Sequence, residues 1–321
     1  MGAKIEKKES LKMIYGAGKH KYNLVEGWAK LPEGESFRDV TGIAVNKQDQ
    51  VVVLNRSQHP IMVFDREGNL VSSWGEGYFG RAHGSCIGPD GSIYCTDDRK
   101  HIVTKFDPEG KVLKVLGTKD KPSGTGYRPT SDFFESLTTI THGGPPFNRP
   151  TGVDISSSGD IFVADGYGNA RVHKFSADGQ LLFSWGEPGP APGQFRLPHS
   201  LRVDKCERVW VPDRENSRIQ IFSDEGEFLT QWTDLFRPTD LCIADDVVYV
   251  SELCRRISIF TMEGKLLARW GNEGHDLGDP LFVAPHAVAV DSHGDLYIGE
   301  VAFTSTKVDR GARTIQKFAH I

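Results

Sequence analysis

Apolar residues along this chain come in short alternating runs bounded by Gly, Asp, Asn and Ser, a pattern that reads as β-strands joined by tight turns. The stretch Pro150 to Gly186, "PTGVDISSSGDIFVADGYGNARVHKFSADGQLLFSWG", sets out the order. A strand is followed by a turn at Gly159-Asp160, the strand "IFVAD", a loop, the strand "ARVHKFS", a turn at Asp178-Gly179 and a strand ending in Trp-Gly. The order recurs from "TGIAVNKQDQVVVLN", "HGSCIGPDGSIYCTD", "HSLRVDKCERVWVPD", "TDLCIADDVVYVSE" and "HAVAVDSHGDLYIGE", giving six copies in all. Four short strands repeating at about 40 residues predict an all-β, six-bladed β-propeller, one blade per copy. The last copy has only three strands before Ile321, and "YNLVEGWAKLP" (Tyr22 to Pro32) resembles the missing fourth. An N-terminal strand is therefore expected to complete the last blade and close the ring, removing two open sheet edges.

The repeats account for the chain as a single propeller domain, 1–321, with an N-terminal extension (1–20) and one long insertion, 118–148, between blades 2 and 3. The insertion is rich in Gly, Pro, Ser and Thr, and is expected to overhang one face of the ring. A net charge of -5, from 38 basic and 43 acidic residues mixed along the chain, offers neither a basic stripe for nucleic acid nor a polybasic membrane patch. The charged N-terminus lacks the apolar core of a signal peptide and no apolar run would span a bilayer, so a soluble cytoplasmic protein is expected. Cys86, Cys95, Cys206, Cys242 and Cys254 form no CxxC pair and are odd in number, which fits reduced, mostly buried thiols.

Aligning the copies places Thr41, His83, Thr151, His199, Thr239 and His286 at the mouths of the innermost strands, histidine alternating with threonine. Neighbouring blades of a six-bladed ring are about 60° apart, so His83, His199 and His286 should stand about 120° apart and face one central point. Three imidazoles with a fourth position open are the ligand set of a catalytic zinc, and iron, cobalt or copper also suit imidazole. Taken singly, each histidine reads more readily as a hydrogen-bonded structural residue, and it is their occurrence at three symmetry-related positions that points to a metal; His20, His101, His173 and His275 lack the register. Asn55, Asp97, Asp165, Asp213, Glu252 and Glu300 form a second ring at the ends of the second strands, with loop bracing as their expected role. Just beyond them lie Arg56, Tyr167 and Arg214. An arginine near a metal can hold a carboxylate, and a tyrosine beside cations can serve as a base. The other reading of these three is surface ion pairing and packing.

The repeats resemble NHL repeats. "VADGYGNARVHKFSADGQLLFSWGEPGPAPGQFRLPHSLRVD" with "VPDRENSRIQIF" is similar to the catalytic core of the peptidyl-α-hydroxyglycine α-amidating lyases. That resemblance implies zinc on His83, His199 and His286, Tyr167 as catalytic base, and Arg56 and Arg214 as active-site arginines. It implies cleavage of the C–N bond of an α-hydroxyglycine to an amide and glyoxylate, without a redox cofactor. Arg56 would favour the ionised tyrosine and hold a substrate carboxylate, with Arg214 as a second anchor. The chain departs from the family pattern in three places. Ala287 stands where an aspartate contributes to a structural calcium site, so that calcium is not expected here; Ala284 replaces a methionine and Gly168 a cysteine. With neither a secretion signal nor a monooxygenase domain, the expected substrate is a small molecule bearing a carboxylate rather than a peptide hormone precursor. A metal-dependent hydrolase or lactonase, and a non-catalytic NHL scaffold, are the competing functions.

Overall fold

The computed structural model describes residues 13–271 and 280–321, so His275 lies outside the described residues. Six antiparallel sheets are present among them. Blade 1 consists of Val40–Val45, Val51–Asn55, Ile61–Phe64 and Leu70–Trp74; blade 2 of Ala82–Ile87, Ile93–Asp97, Ile102–Phe106 and Val112–Gly117. Blade 3 is Pro150–Ile155, Ile161–Asp165, Arg171–Phe175 and Leu181–Trp185; blade 4 is Arg202–Val203, Val209–Asp213, Arg218–Phe222 and Phe228–Trp232. Blade 5 runs Pro238–Ala244, Val247–Glu252, Arg256–Thr261 and Leu266–Gly271, and blade 6 Pro285–Val290, Leu296–Glu300 and Ile315–His320. The innermost strand of every blade packs against that of the next, blade 6 against blade 1 included, and this closes the propeller.

Closure uses the N-terminus. His20–Val25 pairs with Ile315–His320 in the register Tyr22 to His320 through Val25 to Lys317. The pairing strand thus starts and ends earlier than the Tyr22 to Pro32 stretch suggested, because Trp28 leaves the sheet to pack beside Phe64 and Tyr297. Ile14–Ala17, within the N-terminal extension, adds a fifth, outermost strand to the same blade.

Both faces of each blade are buried, which explains apolar runs such as "VVVL" and "IFVA". Val51 and Val53 point into the core shared with blade 6, Val52 and Leu54 into the core shared with blade 2. Six such inter-blade cores hold the ring together, as expected when strands alternate side chains between two faces. The Asp/Glu-Gly turns between third and fourth strands also serve packing. Gly110, Gly226 and Gly264 have positive φ, and a Cβ there would come within 2.6, 2.9 and 2.8 Å of Trp74, Trp185 and Trp232 of the preceding blade. The repeated turn glycine and the repeated Trp are therefore two halves of one contact.

Within the insertion, α1 (Phe133–Thr138) is N-capped by Asp132, whose carboxylate accepts from the Glu135 N–H at 2.7 Å. A second short helix, α2 (Ala302–Thr306), follows the second strand of blade 6. No helix among the described residues is long and apolar enough to cross a membrane.

Candidate metal and active site

The six residues that alternate at the strand mouths form a buried ring on the propeller axis. His83, His199 and His286 face one another with ring centroids 4.8, 4.9 and 4.7 Å apart. The intervening threonines orient them through their backbone carbonyls. The Nδ1–H of His83 donates to the Thr151 carbonyl (2.7 Å), that of His199 to the Thr239 carbonyl (2.7 Å) and that of His286 to the Thr41 carbonyl (3.0 Å). Each histidine is thus oriented by the threonine of the next blade. Carbonyls only accept, so the proton must lie on Nδ1 and the Nε2 lone pair of each ring points inward. Thr151 and Thr239 continue the stitching through their hydroxyls, which donate to the carbonyls of Pro198 (2.6 Å) and Pro285 (3.0 Å). Gly84, directly after His83, leaves the space this requires, since a Cβ there would lie 2.4 Å from the Thr151 oxygen.

These ligand atoms lie within 4.8 Å of one another. Burial above all, then His199 and His286 beside His83, Arg214 beside His199, and Arg56 and Arg214 beside His286, holds the three imidazoles well below their ordinary pKa, so they are neutral lone-pair donors. Three convergent lone pairs with a single hydroxyl proton nearby suit a cation. The donor set therefore fits a metal ion, and its all-imidazole chemistry suits zinc or another first-row ion.

That hydroxyl belongs to Tyr167, whose oxygen lies 3.0 Å from His83 Nε2 and 3.2 Å from His199 Nε2. Arg214 reaches the same oxygen through Nη1 at 3.4 Å and is itself held by Glu215 at 2.7 Å. Arg56 is fixed differently, by Ala82 O (3.2 Å), the Thr304 hydroxyl (3.1 Å) and Asp39 (3.4 Å). Its remaining nitrogen, Nη2, is buried without a hydrogen-bond partner. The structure brings all six sequence-selected residues to one place, with Arg214 as the guanidinium in hydrogen-bond reach of the phenol.

Sequence reading missed several neighbours. Arg81 and Arg149 lie 5.4 and 5.5 Å from the Tyr167 ring centroid, with Asp98 buried between them. Asp98 was legible in principle, since it follows Asp97 in the register that singled out Arg56 and Arg214. The insertion overhangs this face. Leu137 and Ile140 pack with Tyr167 and Leu197, and Phe133 lies 6.0 Å from the Tyr167 ring.

The second ring does brace loops. Asp97 accepts from the backbone N–H groups of Gly80 and Arg81 (2.6 and 3.0 Å), Asp213 from Arg196 and Leu197 (2.9 and 3.0 Å), and Glu300 from Val283 and Ala284 (2.5 and 3.0 Å). Each carboxylate grips the segment leading into its own blade's first strand. Other histidines have structural partners: His173 contacts the Ser184 hydroxyl at 2.7 Å, and His101 accepts from the Arg149 N–H at 3.1 Å. Below the histidine-threonine ring, Arg202 pairs with Asp240 at 3.1 Å, while the Ala287 side chain packs into the core between blades 6 and 1. All five cysteines are unpaired; Cys206 is exposed, because it sits in a turn between the first two strands of blade 4 rather than in a core.

Fold and site together define a six-bladed β-propeller with a central three-histidine cluster that could bind a metal. Residues 147–175 match the NHL repeat family. The chain is 29% identical over 324 residues to NHL repeat-containing protein 3 of Homo sapiens, covering 92% of this chain and 84% of that one. It is 28% identical over 321 residues to peptidyl-alpha-hydroxyglycine alpha-amidating lyase 2 of Drosophila melanogaster, covering 87% and 72%. Among solved structures, a gluconolactonase of Xanthomonas campestris shares the fold with a TM-score of 0.60 at 13% identity, over 93% of this chain and 89% of that one.

Proposed function

We propose that this protein is a metal-dependent lyase that cleaves the C–N bond of a small α-hydroxyglycine-type substrate, giving an amide and glyoxylate. One observation carries the reading: three inward-facing imidazole Nε2 atoms share their centre with a phenol 3.0 and 3.2 Å from two of them, beside a buried arginine with a spare donor. The similarity to proteins named as amidating lyases supports it.

His83, His199 and His286 would hold the metal, zinc in this proposal. When bound, the ion supplies Lewis acidity toward a substrate oxygen. Arg56 receives the substrate carboxylate on its unpartnered Nη2, a charge-assisted bond that fixes the α-carbon. Tyr167, with Arg214 stabilising its charge, takes the proton of the α-hydroxyl. The O–H electron pair becomes the second bond of the aldehyde, the C–N pair leaves on nitrogen, and the amide takes up a proton. Proton and electron counts balance, so no redox partner is required.

The test is elemental analysis of the purified parent and a His199→Ala variant, followed by an assay of glyoxylate release from N-benzoyl-α-hydroxyglycine. About one first-row metal per chain, lost in the variant, with metal-dependent glyoxylate release is expected. A well-folded parent that takes up no zinc would overturn the metal site. A metal-loaded protein that opens a lactone but releases no glyoxylate would overturn the lyase reading.

A further inference from the structure

Five guanidinium groups and three carboxylates meet above the histidines. Arg56 pairs with Asp39 (3.4 Å), Arg214 and Arg237 share Glu215 (2.7 Å each), and Arg81 and Arg149 share Asp98 (2.7 and 3.7 Å). Within these ion pairs five guanidinium groups face three carboxylates, two more cations than anions, in a place where Arg56, Arg214, Asp98 and Glu215 are largely removed from water. Charge that is neither paired nor hydrated is costly, so a bound ligand that offsets it is favoured. A metal ion on the histidines would enlarge the excess. The single carboxylate of a hydroxyglycine, taken by Arg56, leaves Arg81 and Arg149 with one carboxylate, Asp98, between them.

The unmet charge therefore lies at Arg81 and Arg149. Among the described residues the Arg81 guanidinium makes one hydrogen bond, to Asp98. Arg149 is turned toward the site by the Tyr127 hydroxyl of the insertion, which accepts from its Nη1 at 2.7 Å, and its ion pair with Asp98 is long. Both arginine side chains are 27% exposed, so they are reachable by a ligand and have donors left to give it. Both also flank the ring of Tyr167, which places them within one small molecule's length of the reacting centre. Phe133 of α1, against Tyr167 at 6.0 Å and Arg214 at 5.4 Å, roofs the same space.

We propose that the substrate is a compact dianion, a hydroxyglycine whose short acyl chain ends in a second carboxylate, and that Arg81 and Arg149 select that carboxylate. The hydroxyglycine end of this assignment rests on the lyase reading; the second anion site does not.

Two unreactive ligands of equal length separate them: N-succinylglycine, which has the second carboxylate, and N-butyrylglycine, which ends in a methyl. In calorimetric titrations of the zinc-loaded protein at about 0.15 M salt, where long-range charge effects are screened, N-succinylglycine should bind about tenfold more tightly or better. The preference should fall toward one in Arg149→Met and be partly restored in Arg149→Lys; Arg81→Gln provides a second, independent loss. Equal affinity in the parent, no binding of either ligand, or a preference that survives in both Arg149→Met and Arg81→Gln would overturn the proposal. The α-hydroxylated counterparts then divide the two ideas. A binding preference without glyoxylate release leaves the anion site standing and removes the lyase chemistry, whereas equal turnover of both removes the anion site and leaves the lyase.

Discussion

At the scale of single residues, Tyr167 is the group with the most to lose. Its oxygen stands within 3.4 Å of two imidazoles and one guanidinium, while its ring is held by Leu137, Ile140 and Leu197. Tyr167→Phe keeps the ring packing and removes only the oxygen. It should therefore retain metal, measured by elemental analysis, and lose about 10²- to 10⁴-fold in glyoxylate release, the range for a positioned acid-base group. Undiminished turnover would take the tyrosine out of the mechanism. The cysteines give a second residue-scale expectation. Burial pushes the thiols of Cys86 and Cys95 up, and that of Cys242 to about 11, so they carry little thiolate near neutrality. Native protein treated with a thiol-reactive dye should label Cys206 first, with Cys86, Cys95 and Cys242 following only on unfolding. Cys206→Ser should leave activity nearly intact.

At the scale of elements, the carboxylate closing each second strand is a backbone clamp. Asp213 accepts from two N–H groups just ahead of His199 and also pairs with buried Arg218 at 2.9 Å. Asp213→Ala removes these partners together and leaves the guanidinium uncompensated, so urea unfolding should register a loss of about 3 kcal/mol or more. The clamp lies only a few residues from His199, so under the proposed function zinc affinity should weaken with it. An unfolding midpoint equal to the parent's would contradict the bracing role. The acidic ring was legible because its residues recur in register. Its partners were not, since a backbone N–H carries no mark in the sequence.

At the scale of the whole molecule, ring closure depends on four residue pairs between His20–Val25 and the final strand. Tyr22 is fully buried there, stacked on Trp270 of blade 5 and facing His320. Deleting residues 1–26 would open the edge of Ile315–His320 and uncover the apolar seam between blades 5 and 6. The truncated chain should melt at lower temperature and self-associate through the exposed edge, as seen by thermal denaturation and light scattering. A monomer with the parent's melting temperature would show that the strand is dispensable.

Strand order, blade number and the histidine-threonine alternation were determined by the sequence, because each blade repeats the same local problem of burying two faces of a short sheet. Periodicity then carries a residue's register directly into its angular position on the ring, which is why His83, His199 and His286 could be picked out as facing one centre. Tertiary structure alone decided what lies between the blades and above them. Arg81 and Asp98 flank the first two strands of blade 2 and Arg149 leads into blade 3, positions that the repeat register marks, whereas Tyr127 and Phe133 come from an insertion that repeats nothing. The arrival of Tyr127 at Arg149 and of Phe133 at Tyr167 follows from how the insertion folds over the ring, a non-local outcome that no spacing along the chain encodes.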